Sequence, residues 1–324
     1  MAVYTEVSFD EAAALIHRLG IGELTQLRPC AGGIENTNYF ADTTGGRYVL
    51  TLFERLTAQE LPFYLHLMKH LAERGIPVPG PKADALGAIL HSLKAKPAAV
   101  VDRLPGKHPL EPSPSHCTHV GSMLARMHLE VRDFGMHQPN LRGLEWWVST
   151  IPQVLPFMTP ARQSLIQREL AFQRQLAASA AFASLPRGPI HADLFRDNVM
   201  FEGEHLTGLF DFYFAGVDSF LFDIAVCLND WCIALPSAQL VEERASAFVS
   251  AYDAVRRLSD DEIRLLPAVL RGAALRFWIS RLWDQHLPRD ASVLNPHDPT
   301  HFERVLQARL DSPWQYARPR PKAP

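Results

Sequence analysis

Long apolar runs are missing from the chain. Nowhere in the 324 residues do the ~18 uninterrupted apolar positions of a membrane-spanning helix occur, and the opening MAVYTEVSFDEAAALIHRLG carries acids where a secretory leader would be apolar. A cytoplasmic protein with no membrane partner is expected. Cysteine is scarce: Cys30, Cys117, Cys227 and Cys232 form no CxxC pair, which argues against a disulfide framework or a zinc site and predicts buried thiols. Positive charge is not in excess either. With a net charge of -3 and a pI near 6.5, no overall field favours nucleic acid, and a small-molecule partner fits better. Internal repeats are absent, as are GxGxxG and Walker glycine patterns.

With 47% hydrophobic residues, the chain can bury a core large enough for two lobes. After Ser8, FDEAAALIHRLG reads as a capped amphipathic helix ending at Gly20. TNYFAD and RYVLTLFE, separated by TTGG, predict a hairpin, with another strand ahead of AGG. A helix follows, with Leu61, Tyr64, Leu65, Met68 and Leu71 on one face, and then short strands in GAILHSL and AAVVDRL. The Pro-rich PGKHPLEPSPSH suits a boundary, giving an N-terminal lobe over 1–104 and a mainly helical lobe over 105–324. Helical patterns recur at CTHVGSMLARMHL, at 165–183, at 238–256 and at 267–283, and the C-terminal WQYARPRPKAP reads as a frayed, solvated tail.

One β signal interrupts the helical part. VMFEGEHLTGLFDF has apolar arms around a polar turn, so a symmetric hairpin sets Asn198, just before the first arm, opposite Asp211, at the end of the second. Cross-strand partners stand ~5 Å apart, close enough for an oxygen of each to share a hard cation such as Mg2+. Asp193, five residues before Asn198, remains free of that cation and can meet a hydroxyl. Phosphoryl transfer from a nucleoside triphosphate requires this division of labour. HADLFRDN fits the HxDxxxxN pattern of kinase catalytic loops, and DFY stands where those enzymes carry the metal-binding DFG. A capping loop before an ordinary hairpin would explain any one of these residues, but their joint pattern favours a kinase-type site.

On these residues the chain resembles the aminoglycoside phosphotransferase and choline kinase-like family, over nearly its whole length. VGSMLARMH is similar to the family's helix before the catalytic loop, HADLFRDNVMF to that loop, and GLFDFYFAGVDSFLFDIAV to its metal-binding strand and bracing aspartate, here Asp223. AGGIENTNYF, YVLTLFE and LRFWISRLWDQH add a likeness to its bacterial homoserine kinase branch. The resemblance implies a protein-kinase-like α+β fold, a small antiparallel sheet lobe and a mainly helical lobe. It also implies transfer from ATP to L-homoserine, giving O-phospho-L-homoserine on the way to threonine. Asp193 would orient the hydroxyl, and Asn198 and Asp211 would hold Mg2+.

RYVLTLFE departs from the kinase pattern in carrying Thr51 where the third-strand lysine falls, so the usual ion pair with a helix glutamate cannot form and Glu60 is a nominal match. Arg47 and Arg55 share its face but lie ~13 Å away along the strand. Gly32 and Gly33, followed by Asn36 and Asn38, can cover phosphates or simply turn a hairpin. The backbone of Asp102 and Leu104 in VVDRLPG would meet adenine at a hinge, unless this is an edge strand entering a turn. For a substrate carboxylate, Arg276 and Arg281 are candidates; each could instead stack on Trp278 or Trp283 or pair with Asp284. Trp146 and Trp147 read as core, and His66 with His70 as surface or packing residues lacking a third ligand. Rival readings are a sister kinase for methylthioribose, choline, aminoglycoside or Ser/Thr acceptors, or a pseudokinase motivated by Thr51. The sequence leaves the oligomeric state open.

Overall fold

The computed structural model describes residues 5–30, 36–287 and 297–318. They fall into two compact units, Met1–Gly106 with Thr207–Phe210, and Lys107–Leu206 with Asp211–Pro324.

In the first unit, α1 (Phe9–Leu19) begins where the Ser8 hydroxyl accepts from the Glu11 amide and the Glu11 carboxylate accepts from the Ser8 amide. It ends at Gly20, whose φ of 64° suits glycine. Strands β1 (Leu24–Pro29), β2 (Asn36–Thr43) and β3 (Gly46–Phe53) precede α2 (Leu61–Glu73), and β4 (His91–Leu93) and β5 (Lys96–Asp102) follow it. The antiparallel sheet runs β1-β2-β3-β5-β4. Ala12, Leu15, Ile16 and Leu19 of α1 bury against Tyr39, Ala41, Tyr48, Leu50, Leu52, Ala98 and Val100 on one sheet face. GAILHSL, expected as a strand throughout, is extended only from His91. Ahead of it, the Asp84 carboxylate ties down the amides of Leu86 and Ala88 in a turn. Behind it, Lys94 and Ala95, both near φ +55 to +58°, make the tight hairpin turn that fixes its register.

The second unit holds α3 (Pro114–Glu130), α4 (Leu144–Val154), α5 (Pro160–Ala177), α6 (Ala180–Ala183), β6 (Arg187–Ile190), β7 (Val199–Glu202), β9 (Gly216–Ser219), α7 (Phe220–Trp231), α8 (Glu242–Val255), α9 (Asp260–His286) and α10 (Thr300–Asp311). Between β7 and β9 lies β8 (His205–Leu209), which completes the expected hairpin with β7; β6 pairs with β9. Helix α3 starts three residues before the expected CTHVG, because Ser113 caps it and Pro114 has a φ suited to a first turn. Helix α3 lies so close to α8 that a Cβ on Gly121 would sit 2.2 Å from the Phe248 carbonyl oxygen. Trp147 is core, donating its indole N–H to the Arg142 carbonyl at 2.6 Å, whereas Trp146 is half-buried under the Arg142 guanidinium, 4.5 Å from its ring. All four cysteines are free; three are buried and Cys30 is half-buried. Among the described residues, no helix is long and apolar enough to cross a membrane.

Candidate active site

The loop after β6 is built around one buried carboxylate. Asp223, in the first turn of α7, accepts from the amides of His191 and Ala192 at 2.8 Å each and from His128 Nε2 of α3 at 3.0 Å. His128 Nδ1 meets the Tyr252 hydroxyl at 2.7 Å, and its ring stacks on Phe220 at 4.4 Å. Since a carboxylate only accepts, Nε2 carries the proton and Nδ1 accepts from the tyrosine. Burial holds the His128 pKa below its ordinary value, which keeps the ring neutral. Burial alone would raise Asp223, but the bonds from His128 and the His191 amide outweigh it and hold the carboxyl below the usual range. These bonds also hold Ala192 at φ 64°, a left-handed conformation costing on the order of 1 kcal/mol.

That turn delivers Asp193. Its amide donates to His191 Nδ1 at 3.3 Å, while its backbone oxygen accepts from the side-chain amide of Asn198 at 2.8 Å. The next residues are each tied down. Leu194 O accepts from the Trp231 indole at 3.0 Å, and the Phe195 ring lies tilted 4.4 Å from that of Phe277 of α9 and stacks on Phe302 of α10 at 5.8 Å. The amide and Nε of Arg196 donate to the half-buried Asp230 carboxylate at 2.8 and 3.1 Å. Asn198, 8% exposed, then leads into β7.

Asp193 is half-buried and its pKa is pushed well up. Burial is the main cause; Arg276 pulls the other way, and the negative charges of Asp211, Asp197 and Asp230 add to the rise. Asp211 sits exposed past the end of β8, at φ 67° and ψ 59°. Asp193, Asn198 and Asp211 therefore share one neighbourhood in the second unit. Because the Asn198 nitrogen is spent on Asp193, its oxygen is the free atom of that amide. An amide oxygen and a carboxylate form a hard, oxygen-only donor pair that fits Mg2+, whose other ligands are usually phosphate and water.

The expected nucleotide residues belong to the first unit, though Gly32 and Gly33 lie outside the described residues. Asn36 opens β2 opposite Phe53. Thr51 is buried, and its hydroxyl donates to Asn38 Oδ1 at 2.7 Å across the β2–β3 pair. Adjacent strand residues point to opposite faces, so Thr37, which bonds Glu54 and through it Lys96, faces away from Asn38 and Thr51. That half-buried ion pair is thus no stand-in for the missing lysine. Glu60 accepts from the Thr57 amide and hydroxyl at 2.8 Å each, a local turn. Asp102 gives its carboxylate to Lys82 and its amide to Gly80 O, and the Leu104 side chain occupies the space a Cβ on Gly208 would need. His66 is exposed and His70 bonds Arg74 at 3.1 Å; no described group of three His, Cys, Asp or Glu could hold a metal.

The two arginines of α9 differ. Arg276 is 2% exposed, lies 3.9 Å from the Phe277 ring and 5.0 Å from the Phe214 ring, and has no hydrogen-bond partner for Nε or Nη2 among the described residues. Burial brings its pKa down to about 10, with Asp193 opposing the fall. Arg281 covers Phe302 at 4.4 Å and donates to Asp298 O at 3.2 Å. Both stack on phenylalanine rather than on the expected tryptophans. His128, Asp230 and the Phe195 clamp were not foreseen. A signal for the first existed in the polar histidine within the apolar helix SMLARMHL.

Comparison with known proteins agrees with this geometry. Residues 26–258 match the family described as "Phosphotransferase enzyme family" (APH). A protein of Polaromonas naphthalenivorans named homoserine kinase is 64% identical over 97% of this chain and 99% of its own. One of the same name from Cupriavidus taiwanensis is 54% identical over 96% of each. Among solved structures, an amicoumacin kinase in complex with AMP-PNP and Ca2+ superposes with a TM-score of 0.69 at 18% identity, over 94% of each chain. The expected two-part α+β fold of the aminoglycoside phosphotransferase and choline kinase-like proteins is borne out. A loop that fixes one carboxylate beside an amide and a second acid, together with full-length likeness in sequence, leads to one conclusion: the chain belongs to the phosphotransferase enzyme family.

Proposed function

We propose that the protein is a homoserine kinase, transferring the γ-phosphoryl group of ATP to the side-chain hydroxyl of L-homoserine and releasing ADP and O-phospho-L-homoserine, a step towards threonine. The observation that carries this reading is 64% identity to a homoserine kinase across 97% of the chain. Such coverage extends past residue 258, where the family-wide match stops, into α9 and α10. Those helices bring Arg276 and the Phe302 clamp to the catalytic loop, so the acceptor-selecting part is shared with the homoserine kinases.

Asp193 accepts the hydrogen bond of the substrate hydroxyl and aims its oxygen; in a loose transition state this positioning matters more than basicity. Asn198 and Asp211 hold Mg2+, which would neutralise charge on the transferred phosphate. Asn36 and Thr51, with Gly32 and Gly33, serve the phosphates, and the backbone of Asp102 and Leu104 serves adenine. Arg276, whose Nε and Nη2 are unspent among the described residues, receives the substrate carboxylate, while Arg281 anchors the segment before α10. The enzyme works in the cytoplasm on a small molecule, with no nucleic acid or membrane partner.

A coupled ADP-release assay over L-homoserine, L-serine, choline and methylthioribose tests this. Mg2+-dependent turnover with L-homoserine is expected, far above the others. Turnover of choline or methylthioribose in its place, or of none, would overturn the assignment.

A further inference from the structure

Resting on that reading, we infer that Trp283 is a substrate-binding residue, its indole N–H donating to the carboxylate that Arg276 also holds. Among the described residues, Trp283 Nε1 and Arg276 Nε and Nη2 are buried N–H groups without a hydrogen-bond partner. Indole and guanidinium nitrogens only donate, so the group that satisfies all three must be a pure acceptor. Leaving such donors unmet costs on the order of 1–3 kcal/mol each, which rewards an anion arriving there.

The two residues are placed to act together. They stand seven apart on α9, which puts them on one helix face about 10 Å apart along the axis. Neighbouring ring contacts join the same wall. Trp283 lies 6.4 Å from Trp146, Arg142 lies 4.5 Å from Trp146 and 5.9 Å from Phe214, and Arg276 lies 5.0 Å from Phe214. Arg142 is near enough to Arg276 to depress its pKa. Two cations and an indole N–H around aromatic rings make a receptor for a small carboxylate, and Arg276 is near enough to Asp193 for each charge to act on the other's pKa.

The test is Trp283→Phe, which keeps an aromatic ring and deletes the donor. Wild type and variant are compared with L-homoserine and with 3-aminopropan-1-ol, which has hydrogen in place of the carboxylate. For L-homoserine, KM should rise about tenfold with kcat within twofold, and the KM for ATP should be unchanged, showing an intact fold. For 3-aminopropan-1-ol, kcat/KM should be the same in both proteins. An unchanged KM for L-homoserine, or equal losses on both acceptors, overturns the role of Trp283 and leaves the kinase assignment standing. Absence of L-homoserine turnover by the wild type overturns the substrate reading, and this inference with it.

Discussion

The side-chain nitrogen of Asn198 donates to the backbone oxygen of Asp193 at 2.8 Å and approaches its Oδ2 at 3.4 Å. On the proposed reading, one amide would thereby fix the hydroxyl-orienting acid with its nitrogen and offer its oxygen to the cation. Asn198→Asp keeps an oxygen for Mg2+ but removes the donor and sets a further negative charge against a carboxyl already pushed up by its surroundings. We expect kcat to fall about 100-fold while the Mg2+ concentration for half-maximal rate stays the same or drops. Steady-state rates across a Mg2+ titration check both, and a normal kcat would refute the double role.

Asp193→Asn leaves the shape of the loop and removes the proposed acceptor for the substrate hydroxyl. Loss of about 10²- to 10⁴-fold in kcat is expected, with nucleotide affinity changed only a few-fold. Rates and nucleotide binding measured on the same preparation separate the two, and an unchanged kcat removes Asp193 from the mechanism.

Legibility in the sequence followed the range of the forces involved. Ser8 with Glu11, and the alternation through β2 and β3, are local and were readable. The brace of the loop was only half readable. Asp223 came through the family likeness, whereas His128, 95 residues away, and Phe302, reached through α9 and α10, are long-range partners. Strand length in GAILHSL was over-read because apolar residues at 88–90 mimic a strand while the Asp84 turn spends the backbone nearby. Thr51 looked like a defect and is a cross-strand bond to Asn38.

His128→Phe should show what that brace is worth. The ring can still stack on Phe220, but Asp223 loses a donor and Tyr252 an acceptor, both inside the core. A loss of about 3 kcal/mol is expected, or a fall of roughly 4–5 °C in Tm. Calorimetry on the variant decides it; a change within 1 °C would mean that the pair contributes nothing net.

Gly121→Ala tests the α3–α8 contact. The added methyl would meet the Phe248 carbonyl oxygen at 2.2 Å, and a helix backbone cannot rotate out of the way as a side chain can. Separating the helices should cost about 1–3 kcal/mol, more than the helix propensity gained by alanine returns. Denaturant unfolding should show a lower midpoint, while the KM for L-homoserine stays within twofold.

Acid sensitivity should trace in part to His301. Burial, then the charges of Arg281, Arg304 and Arg196, bring its pKa down to about 4, with Asp298 opposing weakly. A histidine in the unfolded chain titrates near 6.5, so the unfolded state binds the proton first as pH falls. Above about pH 6.5 neither state is protonated there and the residue leaves stability independent of pH. Between that point and about pH 4 the folded state loses ground, and below it the loss is complete. Replacing the ring by an uncharged polar group in His301→Gln removes this proton uptake, so the fall in Tm from pH 7 to pH 4.5 should be smaller in the variant than in the wild type. Identical slopes in the two proteins would show that His301 titrates normally in the folded state.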